Sequence, residues 1–243
     1  MNDVILEETK ICNWQTEVER DALAALVAEQ IGKSLTGVIA AQNRASILLS
    51  GGSTPVRAYQ LLAQQQLPWD RVQMSLTDER RVSDGHPDSN AVMIWQKLLV
   101  HRPQVEWYPL WQNGWQSEDL PEVVARVAEL QRPFDIVLLG MGEDGHFASL
   151  FPGCDESERA LQGDAALPLV LTRSPNPPAQ RISWSMQSLI EAKQLMLYIT
   201  GKRKREIIER AQHADTAESK LPIAKFLSAL KQRQLKLTIF WAP

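Results

Sequence analysis

A short apolar strand followed by a glycine-rich loop is the feature that most constrains this sequence. Residues Ile136–Leu139 form an uninterrupted apolar run that Pro133 precedes and a glycine ends. A run of this length between turn residues is typical of a strand buried on both faces of a parallel sheet. The loop that follows contains three glycines and carries Asp144 and His146. Because open α/β sheets bind ligands at the carboxyl ends of their strands, we predict an α/β fold with these two residues in its site.

A second predicted strand, Ala45–Leu49, is followed by Ser50-Gly51-Gly52-Ser53-Thr54-Pro55 and then by a helical pattern. Thr54 is the predicted N-cap and Pro55 the first helical residue. Free N–H groups and the positive dipole end make such a helix N-terminus a phosphate site, although a plain strand-to-helix turn has the same pattern. The loop is neither a Walker sequence nor a dinucleotide fingerprint, so we expect no nucleotide cofactor.

Two charged runs follow other predicted strands. Residues 72–77 alternate like a strand and lead into Asp78-Glu79-Arg80-Arg81, which is either a solvated loop or a further set of polar groups at the same edge. After the buried strand 195–199, Lys202-Arg203-Lys204-Arg205 opens a helix. Four cations there oppose the helix dipole at ~0.3–1 kcal/mol each, which a bound anion would offset. We interpret three of these four cations as a solvated basic patch.

The remaining pattern predicts one α/β domain over residues 1–243. Thr16 and Glu19 form a capping-box pattern, and apolar residues at helical spacing predict a first helix over residues 17–41. Residues 153–166 read as a polar connection, 167–172 as a strand and 235–241 as the closing strand. No linker or internal repeat divides the chain.

Composition narrows the function classes. A net charge of −3 and a pI near 5.9 do not favour nucleic-acid binding. The apolar runs are shorter than the ~18 residues of a membrane helix, and the first residues lack a signal-peptide pattern, so we expect a cytoplasmic protein. Two cysteines and four dispersed histidines form no metal motif, so we expect no metal and no organic cofactor. We expect a monomer or weak homo-oligomer.

The order of elements and several motifs resemble the 6-phosphogluconolactonases, within the superfamily of glucosamine-6-phosphate deaminases and ribose-5-phosphate isomerases. The resemblance covers nearly the whole chain. It is carried by the glycine turn, by Asp78-Glu79-Arg80 with Asp88-Ser89-Asn90, by 139–152, by Arg181-Ile182-Ser183 and by Gly201-Lys202-Arg203-Lys204. It implies a doubly wound, mainly parallel sheet with helices on both faces, a small sugar-phosphate substrate and contacts from Gly51, Gly52, Ser53, Thr54, Asp78, Arg80, Arg181 and Lys204.

One position separates activities within that superfamily. Deaminases continue from Asp-Gly-His to a glutamate that takes part in ring opening, whereas Phe151 occupies that position here. A phenylalanine cannot exchange protons, so the resemblance favours the lactonase. The alternatives are a sugar-phosphate isomerase or deaminase, and a non-catalytic sugar-phosphate-binding module, since fold does not imply function.

The expected reaction is hydrolysis of 6-phospho-D-glucono-1,5-lactone to 6-phosphogluconate. His146 is the candidate general base, because a neutral imidazole is available near physiological pH. Asp144 either orients the ring or holds the water. Arg80 either binds the phosphate or stabilises the oxyanion, and Asp78 either contacts sugar hydroxyls or positions Arg80. Gly51–Thr54 and Lys204 are the predicted phosphate ligands.

Overall fold

A seven-stranded parallel sheet forms the centre of the computed structural model, which describes residues 11–162, 168–213 and 216–243. In chain order its strands are β1 (Cys12–Thr16), β2 (Ala45–Leu49), β3 (Val72–Leu76), β5 (Glu106–Tyr108), β6 (Ile136–Leu139), β9 (Gln194–Thr200) and β10 (Leu237–Ala242). The spatial order is β1-β10-β9-β6-β2-β3-β5, and every pairing is parallel.

A second, three-stranded antiparallel sheet stands beside the first. It consists of β4 (Asp78–Arg80), β7 (Leu169–Arg173) and β8 (Gln180–Trp184), in the order β4-β8-β7. The charged run after β3 is therefore not a solvated loop: Asp78 and Glu79 are buried in a strand.

Helices cover both faces of the parallel sheet, as every residue of β2, β3 and β6 is buried. They are α1 (Arg20–Gln42), α2 (Val56–Ala63), α3 (Asn90–Lys97), α4 (Leu120–Val127), α5 (Asp155–Leu161), α6 (Met186–Ile190), α7 (Lys202–Ala211) and α8 (Pro222–Gln232). Short 3-10 helices lie at Trp69–Arg71, Leu99–His101, Ser117–Asp119 and Ala217–Lys220. The predicted doubly wound α/β class is confirmed.

Helix α1 is long and apolar enough to span a membrane by length and composition alone, a test that core helices of globular proteins also pass. Here it buries an apolar stripe in the core, formed by Leu23, Ala24, Val27, Ala28, Ile31, Gly32, Leu35 and Ile39. The predicted capping box is wrong: Thr16 ends β1 opposite Trp241 of β10, and Glu19 is the N-cap residue without a side-chain hydrogen bond.

Three other local predictions need correction. Pro55 is the N-cap of α2 and makes Val56 its first residue, so Thr54 is not the N-cap. The predicted polar connection 153–166 contains α5, whose first turn carries three acidic residues that suit a helix N-terminus. The strand predicted at 167–172 begins at Leu169 in the structure, and residues 163–167 lie outside the described part of the chain.

Candidate active site

Four neighbouring strands deliver the predicted site residues to one edge of the sheet. Strands β9, β6, β2 and β3 are adjacent in that order, and each ends at a loop or turn that carries one of the sequence motifs. Strand β3, the next strand of the sheet along the chain, lies on one side of β2. The later strands β6 and β9 lie on its other side. The strand order thus reverses between β2 and β6, the place where open α/β sheets bind ligands.

Asp144 and His146 form a hydrogen-bonded pair in the loop after β6. Nδ1 of His146 lies 2.5 Å from Oδ1 of Asp144, and the backbone N–H of His146 donates to the same oxygen at 3.2 Å. The side chains are 29% and 41% exposed, so the pair faces solvent. Because a carboxylate can only accept, Nδ1 carries the proton and the lone pair of the neutral ring lies on Nε2. Geometrically, Asp144 orients the imidazole.

Gly142 makes room for this pair. A Cβ atom at Gly142 would lie 2.4 Å from both Asp144 Oδ1 and His146 Nδ1, closer than side chains approach one another. Gly145 has a φ of +73°, a left-handed conformation that favours glycine. The loop glycines thus allow the tight turn that folds His146 back onto Asp144.

Phe151 contacts the imidazole ring of His146. Its ring centroid is 4.4 Å from that of His146 with an interplanar angle of 38°, and its side chain is buried. The guanidinium carbon of Arg181 lies 6.0 Å from the same phenylalanine centroid. Phe151 therefore links the histidine to a cation of the small sheet, and it places no carboxylate there.

The pKa of Asp144 is lower than usual. Partial burial raises this pKa, but the hydrogen bonds from the His146 ring and backbone N–H and the imidazolium charge together outweigh burial. Asp144 is therefore ionised throughout the neutral range and stabilises a positive charge on His146.

Asp78 holds the small sheet to the loop of His146. Its Oδ2 accepts the Ser149 hydroxyl at 2.6 Å and its Oδ1 accepts the Thr77 hydroxyl at 3.0 Å. The side chain is buried. Since both carboxylate oxygens already have protein partners, this geometry favours a positioning role over contact with sugar hydroxyls.

Glu79 is a functional candidate that our reading of the sequence missed. Its carboxylate accepts the backbone N–H groups of Arg80, Asn90 and Ala91 at 2.6, 2.8 and 2.6 Å and the Ser89 hydroxyl at 3.0 Å. Burial raises the pKa of Glu79, and these four hydrogen bonds oppose that change. The residue fastens β4 to the first turn of α3.

Arg80 and Arg181 lie directly opposite each other in the antiparallel pairing of β4 and β8. Burial lowers the pKa of Arg181, the Arg80 charge lowers it further, and nearby carboxylates, first among them Asp78, oppose the change. Two neighbouring guanidinium groups repel each other, so an anion placed between them would be stabilised. This pair is a candidate site for a phosphate or an oxyanion.

Lys204 differs from the other cations at the start of α7. Arg203 pairs with Glu206, and Arg205 pairs with Glu209 and stacks on Trp14 and Trp241. Lys204 is half-buried, and this burial lowers its pKa, with Glu143 and Asp144 opposing. Because the charges of Glu143 and Asp144 act on its pKa, Lys204 lies near the loop that carries Asp144.

The glycine turn after β2 joins the same edge. Gly52 has a φ of +88°, and the Tyr59 hydroxyl donates to the Ser50 carbonyl at 2.7 Å. Ser53 and Gly52 are exposed, while Gly51 and Thr54 are partly exposed. The turn therefore offers accessible backbone and hydroxyl groups ahead of α2, as the predicted phosphate loop requires.

Among the described residues, no three or more His, Cys, Asp or Glu side chains are grouped as a metal site would need.

The arrangement defines an α/β enzyme class with a histidine–carboxylate pair beside several cations at a topological switch point. Residues 18–237 match the model of the family described as glucosamine-6-phosphate isomerases/6-phosphogluconolactonase. The chain belongs to this family.

Individual relatives agree with that assignment. A 6-phosphogluconolactonase of Rhizobium meliloti is 34% identical over 91% of this chain and 95% of its own length. One of Pseudomonas aeruginosa is 33% identical over 95% and 93% of the two chains. The crystal structure of a 6-phosphogluconolactonase from Shewanella baltica superposes with a TM-score of 0.87 at 29% identity, covering 97% of this chain and all of that one.

The sequence predicted most of the residues that meet at this edge, but it missed Glu79 and gave Asn90 no role. Both belong to the motifs that carry the family resemblance. The available signal was the position of Glu79 between two predicted site residues, at the end of a buried strand.

Proposed function

We propose that this protein hydrolyses 6-phospho-D-glucono-1,5-lactone to 6-phosphogluconate, with His146 as general base. The observation that carries the proposal is the Asp144–His146 pair, whose imidazole contacts the Phe151 ring that the Arg181 guanidinium of β8 also approaches. The names of the relatives give the substrate class, a sugar phosphate.

In the first step, Nε2 of His146 accepts a proton from a water molecule as its oxygen attacks the lactone carbonyl. Asp144 keeps the ring oriented by accepting the Nδ1 hydrogen and stabilises the imidazolium that forms. The 2.5 Å contact between Asp144 and His146 and the lowered pKa of Asp144 support this orienting role over the alternative, in which Asp144 holds the attacking water.

In the second step, the tetrahedral intermediate collapses and the bond from the former carbonyl carbon to the ring oxygen breaks. The imidazolium returns its proton to that ring oxygen, which becomes the hydroxyl of the open-chain acid. Permanent charge on Arg80 or Arg181 stabilises the oxyanion or holds the phosphate. No covalent enzyme intermediate is needed.

The 6-phosphate is held by Gly51, Gly52, Ser53 and Thr54 together with Lys204. The exposed backbone of the turn and the half-buried ammonium group support this assignment. We further propose that the protein acts in the cytoplasm as a monomer or weak homo-oligomer, without a nucleic-acid or membrane partner.

The activity is tested by incubating the protein with fresh 6-phosphogluconolactone and following 6-phosphogluconate, with spontaneous hydrolysis subtracted. The expected result is hydrolysis well above background. Glucosamine 6-phosphate is the matched second substrate, and we expect no ammonia from it because Phe151 replaces the ring-opening acid. Ammonia release, or lactone turnover at the background rate, would refute the proposal.

A further inference from the structure

Asn90, the first residue of α3, links three parts of the site although it is almost wholly buried, with 2% of its surface exposed. Its Nδ2 donates to the carbonyl of Asp78 at 2.9 Å, and its Oδ1 accepts from Nη1 of Arg80 at 2.7 Å. These partners fix the orientation of the amide, because the flipped group would place donor against donor and acceptor against acceptor.

The Asn90 amide also fills the space beside the glycine turn. A Cβ atom at Gly51 would lie 1.9 Å from Asn90 Oδ1 and 2.2 Å from its Cγ. No side chain at position 51 is compatible with the observed amide. The Asn90 side chain therefore lies between Arg80 and the backbone of the turn. The backbone N–H of Asn90 donates to Oε1 of Glu79 at 2.8 Å.

Two acceptors take up one end of the Arg80 guanidinium. Nη1 donates to the Asp88 carbonyl at 2.5 Å as well as to Asn90 Oδ1. Nη1 carries two hydrogens, so both are used. The hydrogens on Nε and Nη2 form the edge of a guanidinium that binds an oxyanion or a phosphate in bidentate fashion.

Both acceptors are uncharged, and this has a consequence for binding. A carboxylate at position 90 would hold Arg80 equally well, but it would cancel the positive charge. An amide fixes the guanidinium and leaves its full charge available to an anionic substrate group. The neighbouring Arg181 has its own neutral acceptor, the carbonyl of Pro178.

We propose that Asn90 is a positioning residue that holds Arg80 by a neutral acceptor, aims its Nε–Nη2 edge at the substrate anion, and keeps that edge in register with the turn at Gly51. The inference rests on the proposed function, since it concerns how the same site binds its substrate.

A double-mutant cycle tests whether Asn90 acts through Arg80. The variants are Asn90→Ala, Arg80→Ala and the double substitution, with kcat and KM for the lactone and the Kd of 6-phosphogluconate measured for each. We expect Asn90→Ala to lower kcat/KM by about tenfold when Arg80 is present. A coupling of this size between two residues is typical of partners in one hydrogen-bond network. In the Arg80→Ala background we expect less than about twofold further loss. Full multiplication of the two losses would overturn the proposal.

Asn90→Asp separates positioning from simple packing. The substitution keeps the size and an acceptor for Arg80, but it replaces the donor to the Asp78 carbonyl by a carboxylate oxygen, so we expect a folded protein that unfolds at a lower temperature than the wild type. It also neutralises Arg80, so we expect the Kd of 6-phosphogluconate to rise about as much as in Arg80→Ala. Wild-type affinity in a folded Asn90→Asp protein would overturn the role of the neutral acceptor.

Gly37→Ala serves as the control, because Gly37 lies on the exposed side of α1 and a Cβ atom added there would meet nothing within 4 Å. Its kinetic constants should equal those of the wild type. A wild type without lactonase activity would refute the proposed function itself, whereas an active wild type without Asn90–Arg80 coupling would refute only this inference.

Discussion

The loop at 140–151 and strand β4 lie at the same edge of the molecule, yet their polar side chains differ in burial and in hydrogen bonding. In the loop, His146 is part-exposed and one ring nitrogen has its partner in Asp144. In β4, Asp78 and Glu79 are buried and every carboxylate oxygen accepts a hydrogen bond. The loop keeps a group available for proton transfer, whereas the strand uses its charges to hold neighbouring elements in place.

Because of this difference, we expect substitutions in the two regions to change different measured quantities. Changes in β4 should act mainly on the free energy of unfolding, because they leave buried donors without acceptors. Changes at the Asp144–His146 pair of the loop should act mainly on kcat, because these two side chains remain in contact with water.

The largest effect on stability is expected for Glu79→Ala. The substitution leaves three backbone N–H groups and the Ser89 hydroxyl without their acceptor, so we expect the free energy of unfolding to fall by about 3–5 kcal/mol. Urea denaturation of the purified variant measures this loss. Glu143→Ala removes an exposed carboxylate from the loop and should change stability by less than about 0.5 kcal/mol. Similar losses in the two variants would contradict the expected difference between the buried strand and the exposed loop.

Asp144→Asn should affect the reaction and spare the fold. The amide cannot provide the negative charge that stabilises the imidazolium, so we expect kcat to fall on the order of 100-fold. Steady-state kinetics on the lactone give this value, and thermal unfolding should shift little because Asp144 is 41% exposed. A variant with unchanged kcat would show that Asp144 does not assist His146.

Phe151→Ala removes the aromatic ring that contacts the imidazole of His146. An aromatic pair contributes roughly 0.5–1.5 kcal/mol, so a kcat loss of about two- to tenfold is expected from a less well oriented ring. Because Phe151 is also buried, stability should fall, and Phe151→Leu is the matched variant that retains most of the packing. If both variants keep wild-type kcat, the ring contact does not serve the reaction.

The smallest effect concerns the pH dependence of phosphate binding. Burial lowers the pKa of Lys204, so its ammonium group loses its proton at a lower pH than an ordinary lysine. The affinity for 6-phosphogluconate should therefore weaken by a few-fold as the pH rises through the alkaline range, starting at a lower pH than for an ordinary lysine. Isothermal titration across this range should show that Lys204→Arg abolishes the alkaline weakening, while Lys202→Arg leaves it unchanged. An identical pH profile in the Lys204→Arg protein would contradict this assignment.

Much of the parallel sheet was predictable because its strands have local patterns. Strands β2 and β6 coincide with their apolar runs residue for residue, and α7 begins where its motif indicated. Strand β4 has no such pattern. Its charges are accommodated by donors that lie mostly outside the strand, from the Ser89 hydroxyl, which is 10 residues from Glu79, to Ser149, which is 71 residues from Asp78. Burial stabilised by hydrogen bonds from outside the strand leaves no periodic signal in the sequence.

The same distinction applies to the site. Asp144 and His146 are two residues apart, so the sequence alone suggested that Asp144 either orients the imidazole or holds the water. The adjacency of Arg80 and Arg181 comes from antiparallel pairing of two strands that lie far apart in the sequence, and only the family resemblance pointed to both. The role of Asn90 depends on its contact with Gly51, which only the folded chain reveals.

The catalytic role of His146 is examined by determining both lactone turnover and 6-phosphogluconate affinity for His146→Ala. General-base catalysis contributes roughly 10²–10⁴-fold, so we predict a fall in kcat of that size with near wild-type affinity and thermal unfolding. Wild-type turnover in the folded variant would contradict the claim that this loop supplies the reacting group, and would direct attention to Asp144.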